Sequence, residues 1–184
     1  MYIWKGQGIM IHLYTGNGKG KTTAAIGLCI RALGWNMQVC FAQFMKGNDT
    51  GELYILKNLQ GVSILRSEKN FGFYSSMSES DKEELTEIHN RILDKILELA
   101  ESGNCQLVIL DEITYPVNWG LLDMEKLKRL LTFGKQEADK EIELVLTGRS
   151  AQVFLSDMAD YVTEMECVSH PYEKGIGARK GIEF

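Results

Sequence analysis

Short apolar runs alternate with stretches of helical spacing along the whole chain. The run from residue 9 to Thr15 (Ile-Met-Ile-His-Leu-Tyr-Thr) reads as a first strand. Lys21 to Leu33 follows as a helix, apolar nearly all round through Ala24, Ala25, Ile26, Leu28, Cys29, Ile30 and Ala32, and so expected to be largely buried. Gly34 is placed to end it. Residues 38–44 predict a second strand, 52–58 a short helix and 62–65 a short strand. An irregular stretch over 66–77 carries Phe71, Phe73 and Tyr74. Ser80-Asp81-Lys82-Glu83 then has the spacing of a capping box. It opens a helix whose apolar stripe (Leu85, Ile88, Ile92, Leu93, Ile96, Leu97, Ala100) stops at Gly103. At 1.5 Å per residue such a helix runs roughly 30 Å, enough to cross a sheet.

Leu107-Val108-Ile109-Leu110 ends in Asp111, an uninterrupted apolar run of the kind found in a parallel strand buried on both faces. A helix over about 123–133, a strand over 142–147, a short helix capped by Ser150 and a strand over 161–168 complete the pattern. Strands separated by helices predict an α/β fold, a mainly parallel sheet flanked by helices. Residues 1–184 are read as one domain, with 1–8 an N-terminal extension and 170–184 a Gly-rich tail.

Composition narrows the function classes. The 184 residues and 45% hydrophobic content suffice for one sizeable core. A net charge of −5 without a Lys/Arg run lacks the electrostatic footprint of a nucleic-acid binder. No apolar stretch is long enough for a membrane span, and the N-terminus does not read as a secretory signal. Four dispersed cysteines (Cys29, Cys40, Cys105, Cys167) read as reduced core thiols, which places the protein in the cytoplasm.

Gly16-Asn17-Gly18-Lys19-Gly20-Lys21-Thr22-Thr23 lies between the first strand and the first helix. Glycines there let successive N–H groups point into one concavity, and the helix start adds free amides and a positive dipole end. Lys21 brings a charge, and the Thr22 hydroxyl is placed to reach Mg²⁺. The general phosphate-loop pattern asks for Gly where this chain has Thr15. Asp111 and Glu112 end a strand on the edge where this loop lies, positioned to hold Mg²⁺ directly or through water. Arg149, after Thr147-Gly148, and Lys46, past the second strand, are candidates for phosphate oxygens. These residues describe a Mg-nucleotide binder without saying which bond breaks.

The stretch Thr-Gly-Asn-Gly-Lys-Gly-Lys-Thr-Thr-Ala-Ala at 15–25 resembles the phosphate loop of the P-loop ATP:cob(I)alamin (corrinoid) adenosyltransferases, in which Thr at position 15 is expected. Further resemblance runs through Arg31-Ala32-Leu33-Gly34, Gln43-Phe44-Met45-Lys46-Gly47, Leu110 to Tyr115, Leu146 to Arg149, 159–165 and the tail from His170. The resemblance implies a RecA-like P-loop fold. It implies transfer of the 5′-deoxyadenosyl group of ATP to Co(I) of a corrinoid with release of triphosphate, in adenosylcobalamin biosynthesis or salvage. The nucleotide would lie in reversed sense, with its γ-phosphate deep in the loop. Mg²⁺, Lys19, Lys21 and Arg149 then carry leaving-group charge, and Phe71, Phe73 and Tyr74 pack against the corrinoid. A reducing flavoprotein is the implied electron donor. A homodimer is expected, a partner subunit closing a site that a short N-terminus leaves open. The competing readings are a P-loop NTPase hydrolysing ATP or GTP, with Glu112 orienting water, and a non-catalytic nucleotide- or corrinoid-binding module.

Overall fold

The computed structural model describes residues 10–136 and 142–183, so the proposed extension 1–8, residue 9 of the predicted first strand and residue 184 lie outside it. The six strands are β1 (Met10–Thr15), β2 (Val39–Gln43), β3 (Val62–Arg66), β4 (Leu107–Asp111), β5 (Glu143–Thr147) and β6 (Tyr161–Glu164). They form one parallel sheet in the order β3-β2-β4-β5-β1-β6. The helices are α1 (Lys21–Leu33), α2 (Gly51–Leu56), α3 (Glu79–Glu101), α4 (Thr114–Trp119), α5 (Met124–Gln136) and α6 (Val153–Met158).

Period-two alternation assigns each strand residue to one of two cores. Leu107, Ile109, Phe41 and Val145 pack under α1 and α2 with Ala25, Cys29 and Leu53. Val108, Leu110, Ala42 and Leu146 face the other way, against α3, α5 and the shorter α4 and α6. Strands β2 and β4 are buried along their whole length, as a continuous apolar run requires when helices cover both faces.

Several local expectations shift. Helix α1 buries one face, through Ala25, Cys29 and Ala32, while Ile30 is exposed; all-round apolarity did not mean all-round burial, because only one layer lies beneath it. Gly34 keeps a right-handed conformation, and Asn36 supplies the positive φ of 60° after the helix. The capping box at α3 is Ser78 with Asp81, so the helix begins earlier than the Ser80 pairing predicted. Ser78 offers its Oγ to the Asp81 N–H at 3.1 Å, and the Asp81 carboxylate accepts the Ser78 N–H at 3.2 Å. Gln152, not Ser150, precedes α6. Helix α4, which contains Pro116, was not among the predicted elements. The proline ring sits at the third helical position, where a missing N–H removes no helical bond. Three cysteines are buried as expected, and Cys167 is exposed.

Candidate functional site

The carboxyl ends of β1, β2, β4 and β5 converge on α1. Thr15 stays in β1, paired with Glu164 of β6, and the chain turns at Gly16, whose φ is 93°. The turn therefore needs glycine at 16, and a strand residue serves at 15. The first α-helical bond runs from the Ala24 N–H to the Gly20 carbonyl at 2.7 Å. The amides of Lys21, Thr22 and Thr23 thus have no partner within the helix and mark its positive end. The end of β6 walls the loop: the Gly18 N–H donates to the Met165 carbonyl at 2.6 Å. A Cβ at Gly18 would stand 2.6 Å from the Glu166 carbonyl oxygen, which only glycine avoids.

Lys21 is buried and curls back into the loop, donating from Nζ to the carbonyls of Gly16 and Gly18 at 2.7 Å each. Burial, helped by the charge of Arg149, lowers its pKa; Glu112 and Asp111 oppose that shift. A polyanion in the loop relieves the same penalty. Lys19 is exposed and lies 3.6 Å from Glu183 of the tail. Asn17 and Thr23 are exposed, and Arg149 is exposed but close enough to act on Lys21 and Glu112 electrostatically.

Asp111 organises this edge. Gln43, Asp111 and Thr147 are the last residues on the α1-facing side of three adjacent strands, so alternation alone lines them up. Thr22 and Thr147 both donate hydroxyls to Asp111 Oδ1 at 2.8 Å. Lys46 donates to Oδ2 at 2.8 Å, and Gln43 Nε2 reaches the same atom at 3.4 Å. Burial opposes the Lys46 charge, yet Asp111, Glu112 and Glu52 outweigh it and raise its pKa.

Glu112 differs from its neighbour. Its φ is 62°, its N–H donates to Thr147 Oγ1 at 3.0 Å, and its Oε2 is buried without a hydrogen-bond partner. Burial and the Asp111 charge raise its pKa, against Lys46, Lys21 and Arg149. The open Glu112 oxygen and the Thr22 hydroxyl, which is bonded to the adjacent Asp111, are oxygen donors of the kind a hard divalent cation takes. Thr22 gives its proton to Asp111, which leaves oxygen lone pairs for such an ion. Among the described residues no cluster of three His, Cys, Asp or Glu forms a metal cage.

Of the aromatic candidates, Phe71 and Tyr74 pack against the Met77–Leu85–Leu121 cluster, whereas Phe73 is 84% exposed. Tyr74 stacks on Trp119 of α4, centroids 4.4 Å apart and planes within 9°. Trp119 in turn lies 5.0 Å from Tyr115, whose hydroxyl is influenced by Glu112 and Arg149. Three rings therefore run from the carboxylate edge to segment 71–77. The chain from 66 to 77 contains no Trp, and α4 brings one beside it.

Comparison with known proteins decides the family. The model of the ATP:corrinoid adenosyltransferase family BtuR/CobO/CobP matches residues 7–184. This chain belongs to that family. A corrinoid adenosyltransferase of Escherichia coli K12 is 34% identical over 97% of this chain and 86% of its own. One from Sinorhizobium is 33% identical over 95% and 80%, and corrinoid adenosyltransferase CobA of Salmonella typhimurium is 32% identical over 97% and 86%. Among solved structures, a KaiC-like protein of Pyrococcus horikoshii superposes with a TM-score of 0.54 at 14% identity, covering 88% of this chain and 72% of that one. That likeness gives the RecA-like P-loop fold alone.

Sequence reasoning had not singled out Gln43, Thr147, Tyr115 or Trp119 as site residues. The first two carried a legible signal, as the polar residues that end apolar strands. The rings carried none, because only α4 turns them toward segment 71–77.

Proposed function

We propose that this adenosyltransferase moves the 5′-deoxyadenosyl group of ATP onto the cobalt of a cob(I)alamin-type corrinoid. The cobalt electron pair forms the Co–C5′ bond, the C5′–O5′ bond breaks, and its pair leaves with triphosphate. No proton has to be removed from the nucleophile, so the site needs no general base. The protein's work is alignment and stabilisation of the departing charge. In this reading loop residues 16–23 cradle the triphosphate through Lys21 and the amides that the fold leaves free, those of Lys21, Thr22 and Thr23 at the start of α1 among them, while the Gly18 N–H is held by Met165. Lys19 and Arg149, both exposed at the loop mouth, swing onto its oxygens. Thr22 and Glu112 hold Mg²⁺, and Asp111 orients Thr22. Mg²⁺ bound there would neutralise charge on the phosphate oxygens.

The observation that carries this reading over simple hydrolysis is the row Tyr115–Trp119–Tyr74. It extends the phosphate edge into an aromatic surface that reaches segment 71–77, where Phe73 is exposed. A flat macrocycle docks on such a surface, and water attack on ATP has no use for it. A reducing flavoprotein as electron donor and a homodimer belong to the same proposal. Among the described residues no helix is long and apolar enough to cross a membrane.

The test is anaerobic incubation with Mg-ATP, cobalamin and a strong reductant, reading the visible spectrum and the phosphate products. An alkylcobalt spectrum with free triphosphate is expected. ADP with phosphate and no cobalt–carbon bond would refute the proposal in favour of hydrolysis.

A further inference from the structure

One buried side chain, used by neither the phosphate loop nor the aromatic row, touches the supports of both. His89 lies on α3, buried, with the Phe44 ring 5.2 Å from its own. Its Nδ1 is 2.9 Å from the Leu121 carbonyl, which can only accept, so Nδ1 carries the proton. Nε2 is then the acceptor, and the Met45 N–H donates to it at 3.4 Å. Burial disfavours the imidazolium, which would set a second N–H against that of Met45.

The two partners lead to different parts of the site. Phe44 still belongs to the sheet edge, its N–H donating to the Asp111 carbonyl at 2.9 Å. Met45 turns the chain away with a φ of 59°, a left-handed conformation that a residue with a side chain disfavours. That turn is what returns Lys46 to Asp111 Oδ2. The Met45 side chain packs on the Met77–Leu85–Leu121 cluster, as Phe71, Tyr74 and Trp119 do. Leu121 is held by α4, its N–H donating to the Pro116 carbonyl at 2.9 Å. Helix α4 carries Tyr115 and ends at Trp119, two of the three rings in the row. One imidazole therefore joins the turn that presents Lys46 to the helix that presents the rings. A leucine of similar bulk would make neither bond.

We propose that His89 is a positioning residue for adenosyl transfer, holding the Met45 turn and the end of α4 in one frame so that the phosphate edge and the aromatic surface keep a fixed separation. The inference rests on the corrinoid reading above. Cobalt, C5′ and the departing oxygen must lie in line, and their two docking surfaces come from separate segments of the chain. A slip of about 1 Å between such surfaces can lower a rate about 100-fold.

The test compares His89→Leu and His89→Gln in the full chain, alone and with Met45→Gly, by anaerobic alkylation of cobalamin with Mg-ATP and a strong reductant. His89→Leu is expected to lower kcat about tenfold while the Kd for ATP and the KM for cobalamin stay within about twofold. His89→Gln offers an amide donor and a carbonyl acceptor, and should stay within about threefold of the unsubstituted kcat. Met45→Gly accepts the positive φ unaided, so in that background His89→Leu should cost only about threefold. A cavity or packing defect alone would be neither rescued by glutamine nor relieved by a glycine at the turn. If His89→Leu does not fold by circular dichroism, His89→Met takes its place with the same expected loss. An unchanged kcat in the apolar variant, an equal loss in His89→Gln, or a loss undiminished by Met45→Gly overturns the positioning role and leaves adenosyl transfer intact. Failure of the unsubstituted protein to alkylate cobalamin removes the corrinoid reading and this inference with it.

Discussion

Asp111→Asn isolates the charge at the centre of the site while keeping its shape. In the native protein the carboxylate is fully buried, accepts two hydroxyls on Oδ1 and pairs with Lys46 on Oδ2. An amide retains one acceptor oxygen and turns an NH₂ group either toward two hydroxyl donors or toward an ammonium. The second sets donor against donor, and the first keeps an acceptor for Lys46 but makes the hydroxyls rotate and accept; either way the countercharge of the ammonium is lost. Breaking a buried ion pair from one side costs about 3–5 kcal/mol, because the remaining charge is left uncompensated. The Lys46 side chain keeps 27% of its exposure and can turn partly to water. That places the expected loss at the lower end, about 3 kcal/mol. Adding Lys46→Met removes the stranded charge, so the double variant should recover about 1–2 kcal/mol relative to the single one. Urea unfolding followed by circular dichroism measures both, and a thiolate-free stopped assay of alkylcobalt formation measures activity. Activity should stay lost in the double variant, since Thr22 is no longer oriented. A loss below about 1 kcal/mol in Asp111→Asn, or no recovery on adding Lys46→Met, would refute the argument that Asp111 and Lys46 act as a coupled pair.

Three further outcomes follow from the geometry. Gly148→Ala should destabilise by about 2–4 kcal/mol in urea unfolding, because φ is 145° and the new Cβ would run into the Thr114 side chain, 2.9 Å from its Cβ; wild-type stability would show that Thr114 moves freely. Burial lowers the His89 pKa from 6.5 to about 4, although its hydrogen bond to the Leu121 carbonyl opposes the shift. The unfolded chain then binds the extra proton between these values, so this group contributes no penalty above pH 6.5. The penalty grows to about 3 kcal/mol as pH falls to about 4; His89→Gln should flatten that part of the stability–pH curve, and an unchanged slope would exclude His89 as its source. Phe73→Ala should lower adenosylation at limiting corrinoid, leave the Kd for ATP unchanged and hardly alter stability, since Phe73 is 84% exposed; full turnover would remove Phe73 from the corrinoid surface.

What the linear chain determined is what short-range chemistry controls. Period-two runs ending in Gln43, Asp111 and Thr147 define parallel strands with polar tips, and the glycines at 16, 18 and 20 define a turn into a helix. Thr15 departed from the general glycine pattern and was expected only through the family resemblance; the structure gives the reason, since the positive φ falls one residue later, at Gly16. Tertiary packing decided how those pieces meet. The lateral order of the strands puts β2 and β5 on either side of β4, and only that order surrounds Asp111 with two hydroxyls and an ammonium. Glu112 and Asp111 are adjacent carboxylates in the sequence, yet one is fully partnered and the other keeps a bare buried oxygen. The difference arises because strand geometry ends between them and Glu112 adopts a positive φ. Trp119 reaches Tyr74 across 45 residues of chain through a short helix that was not among the predicted elements. Local spacing carries no record of such a contact, because burial, and not periodicity, brings the two rings together.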